Sequence, residues 1–522
     1  MEFNSYIFIF IFVPVLFTLF IGLLNWQTFK VISLSNIILL RNSIFILFSL
    51  VFYCFITFWY AIPLFISSIL DFFVGKKIFQ SNDQKSKKRF LILSVCVNIG
   101  LLSIFKYTGW LSVYVADFLI ILGFSASAIN VPLPPGISFY TFQTMSYTID
   151  IYKGDSKPNK SFIDYLTFVS FFPQLVAGPI ERAKDLLPQL SGKLPFPSIS
   201  KFQSAILMIC FGLMIKIAFA DNFGRLIDFI LQAISADGEL APGLGLIFAY
   251  AFAFQIYCDF SAYSTIARGV AKLFSIELSR NFLTPYFSLN PSEFWNRWHI
   301  TLSRWLRDYL YIPLGGSKSG TLLTLRNLII TMVLGGLWHG AGIFFILWGL
   351  YHGLLLVLYR LVPIDRFLKR YLGNKLGTMI AAIIFFHFLC FSWILFRADP
   401  SQFLPIMNSI AELPVAIVNS FAAVSEYWAK VKTPTQFILT FNGTMEYFLK
   451  TNWSLGVILW GLIVFTLPVL LMDGIARYSN EEFADVLSRM PVLVKAIALC
   501  GMIYTIQFFG RREANEFIYF AF

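Results

Sequence analysis

Glu293-Phe-Trp-Asn-Arg-Trp-His-Ile-Thr-Leu-Ser-Arg-Trp-Leu-Arg-Asp-Tyr309, followed by Leu334-Gly-Gly-Leu-Trp-His-Gly-Ala-Gly342 and Trp348-Gly-Leu-Tyr-His-Gly353, is the stretch on which the reading of this chain turns. It carries three of the four histidines, His299, His339 and His352, among indoles and charges, within sequence otherwise apolar enough for a membrane. An ionisable side chain in a bilayer costs roughly 2.5–3.5 kcal/mol on insertion scales, so such a concentration points to function.

The surrounding composition makes that argument apply. Of 522 residues, 58% are hydrophobic and 13% charged, and the mean hydropathy is +0.73; soluble chains carry about 25% charged residues. The chain is therefore expected to be all-α, a polytopic integral membrane protein. Tyr6 to Leu24 is a charge-free run long enough to cross a bilayer core, for which about 20 residues are needed. Glu2 and the poor cleavage context Asn25-Trp26-Gln27 argue against a signal peptide, so this run reads as the first membrane helix. Further spans are expected near 43–70, 91–105, 109–125, 162–177, 203–220, 244–272, 322–337, 342–360, 377–396, 455–472 and 491–509. Several are short or interrupted by Gly and Pro, which membranes tolerate only where protein or a water-filled cavity covers the backbone.

The net charge of +12 would suggest nucleic acid in a soluble chain, but in a membrane chain it follows the positive-inside rule; lipid is the expected environment, and no nucleic-acid partner is expected. The loop from Gly75 to Arg89 carries Lys76, Lys77, Lys85, Lys87, Lys88 and Arg89 against Asp83, which puts it in the cytoplasm. Arg280 to Lys318 carries Arg280, Arg297, Arg304, Arg307 and Lys318 against Glu293 and Asp308, and is expected on the same side. Residues 412–454, with three acids and three bases, suit an outer-side segment. Cys54, Cys96, Cys210, Cys258, Cys390 and Cys500 are scattered through apolar sequence with neither disulfide nor metal-ligand spacing, and read as core residues; no metal site is expected. The absence of a dividing linker suggests one domain over 1–522, with its central motifs in 254–353. The histidine motifs are not repeated in the other half, which counts against a transporter built on inverted repeats.

Val131-Pro-Leu-Pro-Pro-Gly136 must be extended, since Pro134 and Pro135 lack donors and restrict the residues before them. Ile137 to Tyr152 is amphipathic and is expected to line protein or a cavity, and Phe172-Pro-Gln-Leu-Val-Ala-Gly-Pro-Ile180 is expected to end a membrane segment in a buried, non-helical patch. Gly315 to Gly320 has the wrong spacing for a phosphate loop and reads as a turn. Over Ser292 to Tyr309 a helical period puts Trp295, His299 and Leu302 on one side and pairs Arg304 with Asp308 at i, i+4. An interfacial helix with Trp and Arg at headgroup level explains that pattern as well as a functional site does.

His339 sits at a glycine-flanked break between two hydrophobic segments, where glycine permits close approach of backbone or ligand. With an unperturbed pKa of about 6.5, an imidazole can act as a general base, typically contributing about 10²–10⁴ in rate. A hydrogen-bonded structural role is the competing reading. His352, 13 residues on, would lie nearly 20 Å away at about 1.5 Å per residue of continuous helix, outside any site at His339. His387, among Phe385, Phe386 and Phe388, reads as structural. A base without a nearby protein nucleophile favours direct transfer to a substrate hydroxyl.

At these residues the chain resembles the membrane-bound O-acyltransferases, and within them the alginate O-acetyltransferase branch. Phe294 to His299, Tyr309 to Gly316, Gly336 to Gly340 and Trp348 to Gly353 are similar to the family's central signature. So are Leu133 to Gln143, Phe172 to Pro179 and Phe254 to Ser261 upstream, and Phe396-Arg-Ala398 and Glu516 to Phe522 downstream. The resemblance implies a ring of about 11–12 spanning or re-entrant helices around a funnel, in a bacterial inner membrane. It implies an O-acyltransferase, with acetyl-CoA or another acyl thioester as donor on the cytoplasmic side and an alginate-like polysaccharide acceptor approached from the other, directly or through a periplasmic acetyltransferase-type partner; no bound cofactor is expected. His339 matches the family's invariant histidine and His299 its second. Arg304 and Asp308 are then expected to shape the donor channel, with Trp298 and Trp338 on its wall and Gln143 and Asp259, from the upstream motifs, as further channel candidates. Ala262, Thr265, Ile343 and Ala521 depart from the residues common in the family. D-alanyl transfer to teichoic acid, by a branch sharing both histidine motifs, and transport of polysaccharide or lipid without covalent change are the alternatives.

Overall fold

A computed structural model describes residues 1–29, 32–55, 57–318, 320–415, 455–510 and 517. Among them there is no strand, and eleven helices are long and apolar enough to cross a membrane. The segment 412–454 lies outside the described residues from 416 on, as does the Glu516 to Phe522 motif apart from Phe517.

Hydropathy located the spans better than it located their ends. The expected span at 43–70 is the end of one helix, Leu34–Tyr53, and the start of the next, Phe58–Gln80, while 91–105 and 109–125 belong to a single helix, Gln84–Ile121. The misplaced outer ends at 43 and 70 come from polar residues inside helices. Arg41 donates to the carbonyls of Leu190 and, at 2.9 Å, Gly192. Asp71 accepts from Ser94 at 2.6 Å and Asn98 at 2.7 Å. Each is buried and bonded within the protein, so its desolvation is compensated and the helix continues through it. The expected span at 162–177 is instead two short buried helices, Phe162–Ser170 and Phe172–Leu175; the patch from Phe172 to Ile180 is buried as expected, but only Val176 to Ile180 of it is non-helical. Only Cys258 and Cys390 are core cysteines; Cys96 and Cys500 are exposed on the apolar surface.

The two basic stretches meet at one end of the molecule. Lys76 donates to the Lys160 carbonyl at 3.4 Å, and Lys153, at the far end of the Ile137–Lys153 helix, donates to the Asp308 carbonyl at 3.2 Å. The opposite end of that helix begins at Gly136, which has φ +76° and packs so closely on Leu175 and Val176 that a Cβ would strike their backbone.

The Thr321–His339 and Ile343–Leu361 helices form a tight antiparallel hairpin. Three glycines bring their backbones together: a Cβ on Gly336 would strike the Phe345 carbonyl, one on Gly349 would lie 2.9 Å from Val333 Cα, and one on Gly353 3.0 Å from Ile329 Cα. Small residues at helix contacts are how membrane helices associate where apolar burial gives little drive.

Candidate active site

His339 is the last residue of its helix, which ends because the chain turns extended at Gly340, φ −158°. The final carbonyls of a helix have no partner within it. Here they are met from the Gln84–Ile121 helix: the Lys106 ammonium donates to the Trp338 and His339 carbonyls at 2.6 and 2.8 Å, and the Tyr107 hydroxyl to that of Leu337 at 2.6 Å. A cation at a helix C-terminus is also favoured by the helix dipole. Trp338 donates its indole N–H to the Ser138 carbonyl at 3.3 Å, which fixes the neighbouring ring. Lys106→Met would leave two buried acceptors unsatisfied, each worth roughly 1–3 kcal/mol. The expected result is a lower midpoint of thermal unfolding in detergent together with lowered turnover.

His299 is held differently. The expected continuous helix over Ser292 to Tyr309 is in fact two, Pro291–Trp295 and Ile300–Leu306, with His299 between them at φ +41°, ψ +55°. Left-handed backbone at a non-glycine residue is uncommon and persists only where the surroundings enforce it. They do so here through Asn281, whose carbonyl accepts from Ile300 N at 2.9 Å and whose side chain accepts from the Thr301 hydroxyl at 2.6 Å. Leu283 N donates to the Arg297 carbonyl at 2.9 Å on the other side of the kink. Trp298 and His299 are consequently buried, at 1% and 0% exposure, which excludes headgroup anchoring for these two side chains.

The kink brings His299 against His339. Their ring centroids are 6.5 Å apart, with the Phe260 ring 4.7 Å from His299 on one side and Trp348 and Phe396 5.1 and 5.3 Å from His339 on the other. One cavity reaches this cluster and a second lies beside it. The first, of about 270 Å³, is lined by His339, Trp338, Lys106 and Ser138 together with Tyr53 and Tyr60. The second, of about 440 Å³, is lined by Trp295, Asn296, Ile300, Ser303, Arg304 and Arg307 among others, and so opens at the basic end. The first cavity thus reaches His339 itself, whereas the second stops at Trp295 and at Ile300, the residue after His299.

The match to known proteins covers these same elements. A family model described as MBOAT, membrane-bound O-acyltransferase family, matches residues 158–397. The chain is 34% identical over 412 residues to the probable alginate O-acetylase AlgI of Pseudomonas aeruginosa, covering 77% of this chain and 73% of that protein. It is 36% identical over 431 residues to the peptidoglycan O-acetyltransferase of Helicobacter pylori, covering 76% and 77%. The chain belongs to the membrane-bound O-acyltransferase family. Its likeness to the teichoic acid D-alanyltransferase of Bacillus subtilis is weaker, 28% over 276 residues, covering 51% of this chain and 69% of that one.

In this membrane-bound O-acyltransferase, not every expected site residue comes to the histidines. Asp308 pairs with Arg182 at 2.5 Å and Arg307 at 2.7 Å, not with Arg304. The helix widens to a π-turn over Arg307–Tyr311, so the i, i+4 register assumed for that pair no longer holds. Burial pushes the Asp308 carboxyl up, but the hydrogen bonds and charges of Arg307 and Arg182 outweigh it and hold the group below the ordinary carboxylate range. Arg304 lines the larger cavity without Asp308. Gln143 donates to the Phe168 carbonyl at 2.8 Å and lines neither cavity; it ties two helices together. Asp259 pairs with Lys216 at 2.7 Å, and Lys216 with Asp221 at 2.9 Å, in a buried cluster away from both cavities. Trp298 packs in the core against Phe294, Phe282 and Trp393. His387 bonds Tyr250 and the Ile383 carbonyl, each at 2.7 Å, in the structural role expected of it.

His352 is where the linear estimate failed. The chain reverses between His339 and Ile343, so the hairpin carries His352 back alongside: Trp348 has its ring 5.1 Å from His339 and 4.7 Å from His352. Lys106 was missed because it fell between two supposed spans. A lone lysine in the run Leu101 to Trp110 was itself the available signal.

Proposed function

We propose that this acyltransferase moves an acetyl group from a cytoplasmic thioester, such as acetyl-CoA, to a hydroxyl of an extracytoplasmic polysaccharide of alginate-like kind, with His339 as general base. The observation that carries the reading is the histidine pair, with His339 lining one cavity and a second cavity beginning beside His299 at the basic end that the positive-inside rule assigns to the cytoplasm. The relatives named for alginate and for peptidoglycan O-acetylation support a glycan hydroxyl as acceptor. The teichoic acid relative, matched over a shorter stretch, gives D-alanyl transfer less support. Transport without covalent change gives no reason for a base at this position, and the setting is a bacterial inner membrane.

The hydroxyl enters from the smaller cavity and the thioester from the larger. The His339 imidazole takes the hydroxyl proton as the oxygen attacks the thioester carbonyl, the C–S bond breaks, and the proton passes to the leaving thiolate. Ester and free thiol are the products, and the imidazole is regenerated. His299, rigid at its kink and in the same aromatic shell, sets the polarity and orientation around His339. A periplasmic acetyltransferase-type protein could take the acetyl group before the final glycan; the chemistry at His339 is the same. The test is the purified protein in vesicles supplied with labelled acetyl-CoA outside and glycan oligosaccharide inside, in both orientations. Alkali-labile label on the glycan supports the reading; thiol release without labelled glycan or acceptor protein tells against it.

A further inference from the structure

Four ring nitrogens of three residues in one buried cluster lack a hydrogen-bond partner in the protein: Trp295 Nε1, Trp348 Nε1 and both nitrogens of His352. His352 is fully buried and Trp348 is 1% exposed. Their ring centroids lie 5.1 Å apart for Trp295 and His352, 4.7 Å for Trp348 and His352, and 5.9 Å for Trp295 and Trp348. Buried polar groups are almost always bonded, so three such residues in mutual contact call for an explanation. Indole N–H groups are donors only, and the group that satisfies them must be an acceptor.

The cluster's position supplies the rest. Trp295 lines the larger cavity at the basic end, and Trp348 touches His339, so the three rings span the gap between that cavity and the histidine. We infer that Trp295, Trp348 and His352 form a subsite for the carbonyl groups of the acyl thioester arm, holding them as the arm runs from the larger cavity to His339. Their neighbours are apolar, with the Phe294 ring stacked 6.1 Å from His352 at 8°, so an acceptor there is shielded from water and its hydrogen bonds are strengthened. These are positioning residues, and the inference rests on the acyl-transfer reading above.

Trp348→Phe, Trp295→Phe and His352→Phe each remove a ring N–H and keep an aromatic ring of related shape. Each is expected to weaken binding of the thioether analogue of acetyl-CoA, and to raise KM for acetyl-CoA, by roughly 2- to 10-fold, the worth of one hydrogen bond. KM for the glycan acceptor and the pH profile of kcat should stay where they are in the unsubstituted protein. Monodispersity in detergent identifies any variant that does not fold, and the other two then carry the test. Unchanged analogue binding in the folded variants, or equal loss of donor and acceptor affinity, would overturn the subsite while leaving acetyl transfer intact. Absence of turnover from acetyl-CoA in the unsubstituted protein would overturn both readings.

Discussion

His339→Ala is expected to lower acetyl transfer by about 10²- to 10⁴-fold, the usual contribution of a positioned general base, with little change in the amount of folded protein. The side chain ends its helix at the floor of a cavity, and the helix end is held by Lys106 and Tyr107 through carbonyls that the substitution does not touch. Removing the imidazole therefore deletes the proton acceptor without releasing the backbone that placed it. His339→Gln, which keeps size and polarity but cannot take the proton, should be nearly as inactive. Ester content of the polysaccharide, normalised to protein abundance, is the measurement. Full acylation in either variant would sink the base assignment.

Gly349→Val should abolish activity by a different route, through loss of the hairpin. A Cβ there would overlap the Met332 carbonyl and come within 2.9 Å of Val333 Cα, and backbone cannot move aside as a flexible side chain can. Ordinary overpacking costs about 1–3 kcal/mol, and a clash with backbone at a helix contact belongs at or above the top of that range. Separation of the two helices would also dissolve the contact of Trp348 with His339. Gly22→Ala is the matched control, since nothing lies within 4 Å of its Cβ position, and it should be neutral. Size-exclusion profiles in detergent would show Gly349→Val aggregated or degraded and Gly22→Ala monodisperse. A monodisperse, active Gly349→Val would mean that the close approach of these helices is not required.

Most membrane segments were legible because hydropathy is a local property: a run of apolar side chains is stable in lipid whatever its neighbours are. Where the reading failed, the cause was non-local. Arg41 and Asp71 look like interruptions until their partners at Leu190 and Gly192, or at Ser94 and Asn98, are known. Asp308 has a cation four residues before it in sequence, yet it pairs with Arg182, which comes from 126 residues away. Gln143 and Asp259 sit in recognisable motifs, but their side chains serve helix packing and a buried ion pair.

The sequence by itself determined the class of protein and the family, and it singled out the two histidines on which the proposed function rests, because composition, glycine-flanked breaks and ordered motifs are all properties of the chain read in line. Tertiary structure decided what those histidines face. The left-handed turn at His299 depends on Asn281, and the return of His352 depends on a hairpin closed by three glycines. Contacts of that kind are made between residues distant along the chain, and their energies depend on backbone geometry that no single segment specifies. The stretch from Glu293 to Gly353 thus names the chemistry, and the fold assigns each of its residues a place in it.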